Sequence, residues 1–345
     1  MIKKSLIRLL PIVAGVYRRH IMGAKTKLRR FLKQNSLGKG VWRLLHNANI
    51  TWQGLLYSDE AYFKKVYKQK SGKVLDFDNP RTFDEKQLWL KMFYRDPKCT
   101  ICADKYKVRE YVADKGYEHI LNPVYGVYDN AQSIAWDDLP DRFYLKCNHM
   151  SGSNVRCNDK STFDKKAAQK ILSRGLKHDY SKDSREWVYH DIERKIIAEA
   201  IIESKDKAPL VDYRFLCSGG RCEYMFIDID TAGDDGSHLE GAKRNVYDRD
   251  MNLIDVTVSR PRFDAALVKK PDNFDEMVKC AEALSGDFPF CRVDLYNIDG
   301  KILFGEITFF HAGGLSTFSS EEWAYKLGDS IDLSLAKPEY IRKVK

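Results

Sequence analysis

The stretch Arg292-Val-Asp294-Leu-Tyr296-Asn-Ile-Asp-Gly300-Lys-Ile-Leu-Phe-Gly-Glu306-Ile-Thr308 decides the reading of this chain. Apolar and polar residues alternate on both sides of an Asp-Gly pair, the pattern of two antiparallel strands joined by a tight turn. Loop length then sets which side chains meet. A two-residue loop, Asp299-Gly300, puts Ile298 opposite Lys301 and leaves Asp294 and Glu306 on opposite faces. A three-residue loop, Ile298-Asp299-Gly300 with Gly300 at positive φ, pairs Asn297 with Lys301 and Arg292 with Glu306. In that register Arg292, Asp294, Glu306 and Thr308 share one face, while Val293, Leu295, Leu303, Gly305 and Ile307 form an apolar layer on the other. The clean split favours the three-residue loop. Two carboxylates beside a cation suit Mg²⁺, which takes oxygen ligands and usually binds through one or two carboxylates plus phosphates. An exposed hairpin with cross-strand ion pairs is the plain alternative.

Working outward, 345 residues with 43% hydrophobic and 12% aromatic content are enough for a true core in one large or two ordinary domains. The net charge of +9 is unevenly placed: residues 1–58 hold twelve of the 58 Lys and Arg and none of the 49 acids, leaving 46 against 49 in the rest. That leader mixes apolar and basic residues and suits a helical, amphipathic segment lying on anionic lipid, with a solvated basic tail as the bland reading. Arg8 and Pro11 interrupt it too early for a membrane span, and no small-x-small cleavage site follows. Nucleic-acid binding lacks an accompanying motif and is set aside. The eight cysteines are scattered, Cys99-x-x-Cys102 has no second pair for zinc, and the set reads as buried thiols of a cytoplasmic protein.

Along the body, Asp59–Lys68 is helical in pattern, and Thr82 caps a helix over 83–93 with Glu85 at the capping-box position. Asp104–Val112 reads as a basic helix carrying Lys105 and Arg109. The strand Asp141–Cys147 carries Lys146 and runs into His149-Met-Ser151-Gly152-Ser153, whose small residues can present backbone N–H groups to an anion. A helix over 165–176 follows. Glu199 lies alone in the apolar run 196–202 and calls for a partner, because a lone buried carboxylate is costly. Residues 211–230 form a second hairpin, and 273–285 another helix. Hairpins mixed with helices indicate α+β rather than a doubly wound sheet.

A strand lysine, a Gly/Ser loop, an acid in an apolar strand and a late Arg-x-Asp with Glu-x-Thr follow in an order that resembles the ATP-grasp superfamily. More specifically it resembles the branch named for a teichuronopeptide biosynthesis protein. The likeness runs through N-P-R-T-F-D-E-K at 79–86, D-K-Y-K-V-R-E-Y at 104–111, L-K-C-N-H-M-S-G-S at 145–153, D-Y-R-F at 212–215 and the opening hairpin. The resemblance implies an ATP-grasp fold, two α+β subdomains holding ATP between antiparallel sheets, over 99–345, with 59–98 a helical N-terminal part of the body. It implies that Lys105, Arg109 and Lys146 contact the phosphates, that Ser151, Gly152 and Ser153 close over them, and that Glu199 holds the adenosine. Asp294 and Glu306 become metal ligands with Thr308 where the family commonly has asparagine, and Arg292 stabilises the transferred phosphoryl group. Asp212 and Arg214 lie where they can contact substrate or phosphate, and His149 and His311 flank this centre.

The implied activity is an ATP- and Mg²⁺-dependent carboxylate–amine ligase. It joins an amino acid or amino alcohol to a sugar acid, such as a uronic acid, in capsule or cell-surface polysaccharide synthesis. A lipid-linked saccharide acceptor at the inner face of the plasma membrane would account for the basic leader. Two rivals stand beside it: a glycosyltransferase using Asp228-Ile229-Asp230, and a non-catalytic scaffold of the same fold.

Overall fold

The computed structural model describes residues 50, 52, 54 and 56–343, apart from 207, 232, 234–238 and 240. The leader assigned to lipid therefore lies almost wholly outside the described residues. Residues 59–345 form one unit. Its helices are α1 (Asp59–Ser71), α2 (Phe83–Phe93), α3 (Pro97–Ala103), α4 (Val108–Asp114), α5 (Lys165–Lys177), α6 (Tyr180–Ser184), α7 (Phe274–Ser285) and α8 (Glu321–Asp329). The strands are β1 (Val124–Tyr128), β2 (Phe143–Cys147), β3 (Val155–Cys157), β4 (Ile196–Glu199), β5 (Asp212–Ser218), β6 (Arg221–Ile229), β7 (Lys243–Asp248), β8 (Leu253–Ile254), β9 (Cys291–Ile298) and β10 (Lys301–Thr308).

These strands make two antiparallel sheets, a small one ordered β1-β4-β2-β3 and a large one ordered β10-β9-β5-β6-β7-β8. The α+β expectation holds. In β2, Phe143, Leu145 and Cys147 point into a core completed by Leu172 of α5 and by Ile196 and Ala198 of β4. Strand alternation therefore turns Tyr144 and Lys146 to the other face, which Glu199 shares.

The large sheet buries Tyr213, Phe215, Met225, Ile227, Val293 and Leu295 with Phe274, Met277 and Ala281 of α7. Each of the Phe, Met, Ile, Val and Leu side chains contributes roughly 1.5–3 kcal/mol relative to exposure. Helix α2 starts at the expected capping box: Thr82 Oγ1 accepts from the Glu85 amide at 3.4 Å, and Glu85 Oε2 accepts from the Thr82 amide at 2.9 Å. Phe83 at its head packs edge-on against Phe226 and Phe290, so one side of α2 shares the core of the large sheet, whereas Leu88 and Met92 join Phe63, Tyr67, Leu75 and Phe77 in a separate cluster. All eight cysteines are buried free thiols, as expected. Among the described residues no helix is long and apolar enough to cross a membrane.

Candidate active site on the large sheet

The hairpin brings its four polar residues to one face, but by a different register from the expected one. The loop has two residues: Ile298 faces Lys301, and Asp299 and Gly300 both take positive φ, 52° and 79°. Asp and Gly tolerate that region better than other residues, which makes the tight hairpin turn available. Parity is restored further along the strand. Phe304 faces Leu295, Glu306 faces Asp294, and Gly305 is the extra residue of a β-bulge between them. A Cβ on Gly305 would lie 2.9 Å from the Asp294 carbonyl oxygen, so the close approach needs glycine. The bulge also swaps the apolar layer on the turn side: Phe304 and Ile302, not Leu303, join the core with Ile307.

Arg292 is the hub. Its Nε and Nη2 donate to Asp294 Oδ1 and Oδ2, both at 2.6 Å, a bidentate pair on two side chains about 5% exposed. Nη2 also reaches Glu306 Oε1 at 3.2 Å and Thr308 Oγ1 at 3.0 Å, and Thr308 Oγ1 donates to Glu306 Oε1 at 3.1 Å. Lys105, from the turn before α4, approaches the other Glu306 oxygen at 3.4 Å. Arg214 on β5 pairs across from Asp294 and lies 3.8 Å from it.

These cations decide the protonation of the acids. Partial burial pushes the Glu306 carboxyl up, but Lys105, Arg292 and Arg214 outweigh it and hold it at about 2. For the deeper Asp294 burial wins over Arg292 and Arg214, and its carboxyl is raised. Two opposed carboxylates and a neighbouring hydroxyl supply oxygen donors only, which fits a hard cation whose shell is completed by phosphate and water. Among the described residues no cluster of three or more His, Cys, Asp or Glu offers an all-protein cage.

Behind Arg292 stands His311. Its Nδ1 is 2.7 Å from Arg292 Nη1, its Nε2 is 2.9 Å from Arg244 Nη1, and its backbone amide donates to Gln87 Oε1 of α2 at 2.7 Å. Burial first, and then the surrounding arginines, hold the imidazole well below its usual range and neutral. Lys91 of α2 donates to Gly313 O at 3.1 Å, so the same helix fixes both ends of this short turn.

Other expected residues fall elsewhere. Lys146 pairs with Glu199 at 2.6 Å, which supplies the partner that the isolated acid demanded. Ser151, Gly152 and Ser153 form the β2–β3 loop, with Gly152 at φ 91° and Ser153 at φ 56°. Arg109 turns to the carbonyl of Asn122 at 2.8 Å and ties α4 to the segment before β1. His149 is buried with Nε2 on the His178 carbonyl at 3.1 Å. Asp212 accepts from Thr231 Oγ1 at 2.7 Å and pairs with Arg214 at 3.4 Å.

Sequence reasoning missed Arg244 and Arg260, both of which converge on Asp228. That carboxylate is wholly buried and takes two 2.6 Å bonds from Arg244, one of 2.7 Å from Arg260, and an ion pair with Arg214 at 3.1 Å. Burial pushes it up, yet the arginines hold it below the usual carboxylate range. An acid enclosed by three arginines is poorly placed to meet a metal nucleotide-sugar, which weighs against the D-x-D reading of Asp228-Ile229-Asp230. The signal was present: Asp228, like Glu199, sits in an apolar run and demands a partner.

The family model described as TupA-like ATPgrasp matches residues 85–332. The chain belongs to the TupA-like ATP-grasp family. No curated protein matches it in sequence. Among solved structures it is similar to an L-amino acid ligase from Bacillus licheniformis (16% identity, TM-score 0.39), covering 62% of this chain and 44% of that one. It is similar also to a D-alanine–D-alanine ligase from Helicobacter pylori (13%, TM-score 0.41; 73% and 71% covered). A third is a D-alanine–D-alanine ligase from Bacillus anthracis complexed with ATP (14%, TM-score 0.32; 74% and 63% covered). The chain spans about half the length of the first two solved relatives, the Bacillus licheniformis ligase and a D-Ala:D-Ser ligase from Enterococcus faecalis. Family membership rests on the sequence match, and the site on the geometry above.

Proposed function

We propose that this TupA-like ATP-grasp protein is an ATP-dependent carboxylate–amine ligase. It would join an amino acid or amino alcohol to a sugar acid in the synthesis of a capsule or cell-surface polysaccharide. The observation that carries the reading is the bulged hairpin, which sets Arg292 against the opposed acids Asp294 and Glu306 with Lys105 beside them. In the reaction a substrate carboxylate oxygen takes the γ-phosphoryl group of ATP and ADP leaves. The amine nitrogen then attacks the acyl carbon, phosphate departs, and the amine loses a proton. No protein nucleophile is needed; positioning and charge suffice.

Lys105 and Lys146 are the cations for the phosphates, and the backbone of Ser151–Ser153 is the cover over them. Glu199 is the acceptor for the adenosine hydroxyls. Asp294, Glu306 and Thr308 would hold Mg²⁺, which when bound neutralises charge on the phosphoryl oxygens. Lys146 and Lys105 each rest on an acid, so nucleotide binding would exchange these internal ion pairs for pairs with the phosphates.

Incubation with Mg²⁺-ATP, or with nucleotide sugars, and a panel of sugar acids and amines tests the reading, with ADP, phosphate and amide followed by mass spectrometry. Amide with stoichiometric ADP is expected; sugar transfer without ATP consumption overturns it. The basic leader supports a lipid-linked acceptor, and a chain lacking residues 1–58 is expected to lose liposome association.

A further inference from the structure

Among the described residues, the site face of the large sheet holds one more cationic side chain than acidic ones. Arg292 is matched by Asp294, and Lys105 by Glu306. Three further arginines, Arg214, Arg244 and Arg260, meet only two further acids among the described residues, Asp212 and Asp228. The face therefore carries one net positive charge that an anionic ligand can offset.

The three arginines are not equally able to receive it. Arg244 is 2% exposed, spends two N–H groups on Asp228 and holds a third 2.9 Å from His311 Nε2. Arg214 is 14% exposed and is surrounded by Asp212, Asp228 and Asp294. Arg260 is 32% exposed and, among the described residues, pairs only with Asp228, through Nη1. Most of its N–H groups are free to bind. It also lies beside the chemistry, because the Asp228 oxygen it bonds is the one nearest Arg214, and Arg214 in turn faces Asp294.

Its backbone is fixed in advance. Ser259 sits at φ 61°, a costly conformation for a non-glycine residue, and is held there by reciprocal bonds with Thr317. The Ser259 amide donates to Thr317 O at 2.8 Å, and the Thr317 amide donates to Ser259 Oγ at 3.1 Å. Val258 and Phe318 form a β-bridge alongside. A half-exposed guanidinium on a strained, pinned segment is what a preorganised anion receptor requires.

We propose that Arg260 receives the free carboxylate of the amine substrate, so that this substrate is an amino acid and not an amino alcohol. The inference rests on the ligase reading and narrows it. Binding is measured with the full chain and Mg²⁺-AMP-PNP, using L-alanine, L-serine, L-lysine and L-glutamate against ethylamine, ethanolamine, cadaverine and 4-aminobutyrate. Saturation-transfer NMR reports binding, and ADP release from ATP with glucuronate or galacturonate reports turnover.

An amino acid is expected to bind at least about tenfold more tightly than its decarboxylated partner, in line with a charge-assisted pair. Arg260→Ala is expected to erase that preference while leaving AMP-PNP affinity unchanged, and Arg260→Lys to restore part of it. An amine that binds as well as its amino acid, the absence of amino-acid binding, or a preference that survives Arg260→Ala overturns the inference. Absence of Mg²⁺-AMP-PNP binding by the unaltered chain defeats the ligase reading instead.

Discussion

The two sheets of this protein handle buried charge in opposite ways. On the small sheet the pair on the face opposite the core is simple: Lys146 and Glu199 lie 2.6 Å apart, each the other's one ion-pair partner among the described residues. On the large sheet Arg214, Arg244, Arg260 and Arg292 interlock with Asp212, Asp228 and Asp294, so that several side chains share partners. A single pair is easily exchanged for a ligand, whereas a shared network resists rearrangement because each bond supports its neighbours. The small sheet thus offers a releasable contact and the large sheet a fixed frame.

The largest effect is expected from breaking the frame at its centre. Asp228→Ala leaves three guanidiniums without their common anion, and chemical denaturation should show a loss of about 3–5 kcal/mol. Next comes Gly305→Ala, which drives a methyl group against the Asp294 carbonyl and should cost about 1–3 kcal/mol. Because the bulge sets the parity of the hairpin, ADP formation should fall with it. The small-sheet pair should respond more mildly: Lys146→Ala strands only Glu199 and is expected to cost about 1–3 kcal/mol of stability while weakening nucleotide binding at least about tenfold. Equal losses of stability at Asp228 and Lys146 would break the contrast.

The smallest effect concerns pH, because the Glu306 side chain is 40% exposed and its interactions are screened by water. Its folded pKa, about 2, lies below its ordinary value of 4.5. It therefore contributes stability above pH 4.5 that is lost as pH falls towards 2. Glu306→Gln should therefore be less stable than the parent near neutrality, lose less stability as pH falls across that window, and converge on the parent near pH 2. A variant that loses stability as steeply as the parent chain between pH 4.5 and 2 would show that the cations around Glu306 do not stabilise its charge.

Local signals were legible in the sequence. Thr82 and Glu85 announced the start of α2, strand alternation gave the faces of β2, and the isolation of Glu199 demanded the lysine it has. What depends on distant partners was not. The face shared by Asp294 and Glu306 was read correctly from an incorrect loop, because a bulge at Gly300 and a bulge at Gly305 restore the same parity. Only the backbone contact at Asp294 separates them. Arg260 comes from an irregular segment after β8, where neither period two nor period 3.6 directs a side chain, so its approach to Asp228 is a product of tertiary packing. Thr308, standing where an asparagine is common, does bond both Arg292 and Glu306.

The ring of His311 has a consequence of its own. A neutral imidazole owns one lone pair, and here two guanidiniums each present an N–H to it, Arg292 at Nδ1 and Arg244 at Nε2. Only one of them can be accepted at a time. The tautomer that serves Arg292 places a proton facing Arg244, and the other tautomer does the reverse. The position of a single proton, readable in ¹⁵N chemical shifts, therefore selects which half of the arginine frame is held firmly and which is left to move.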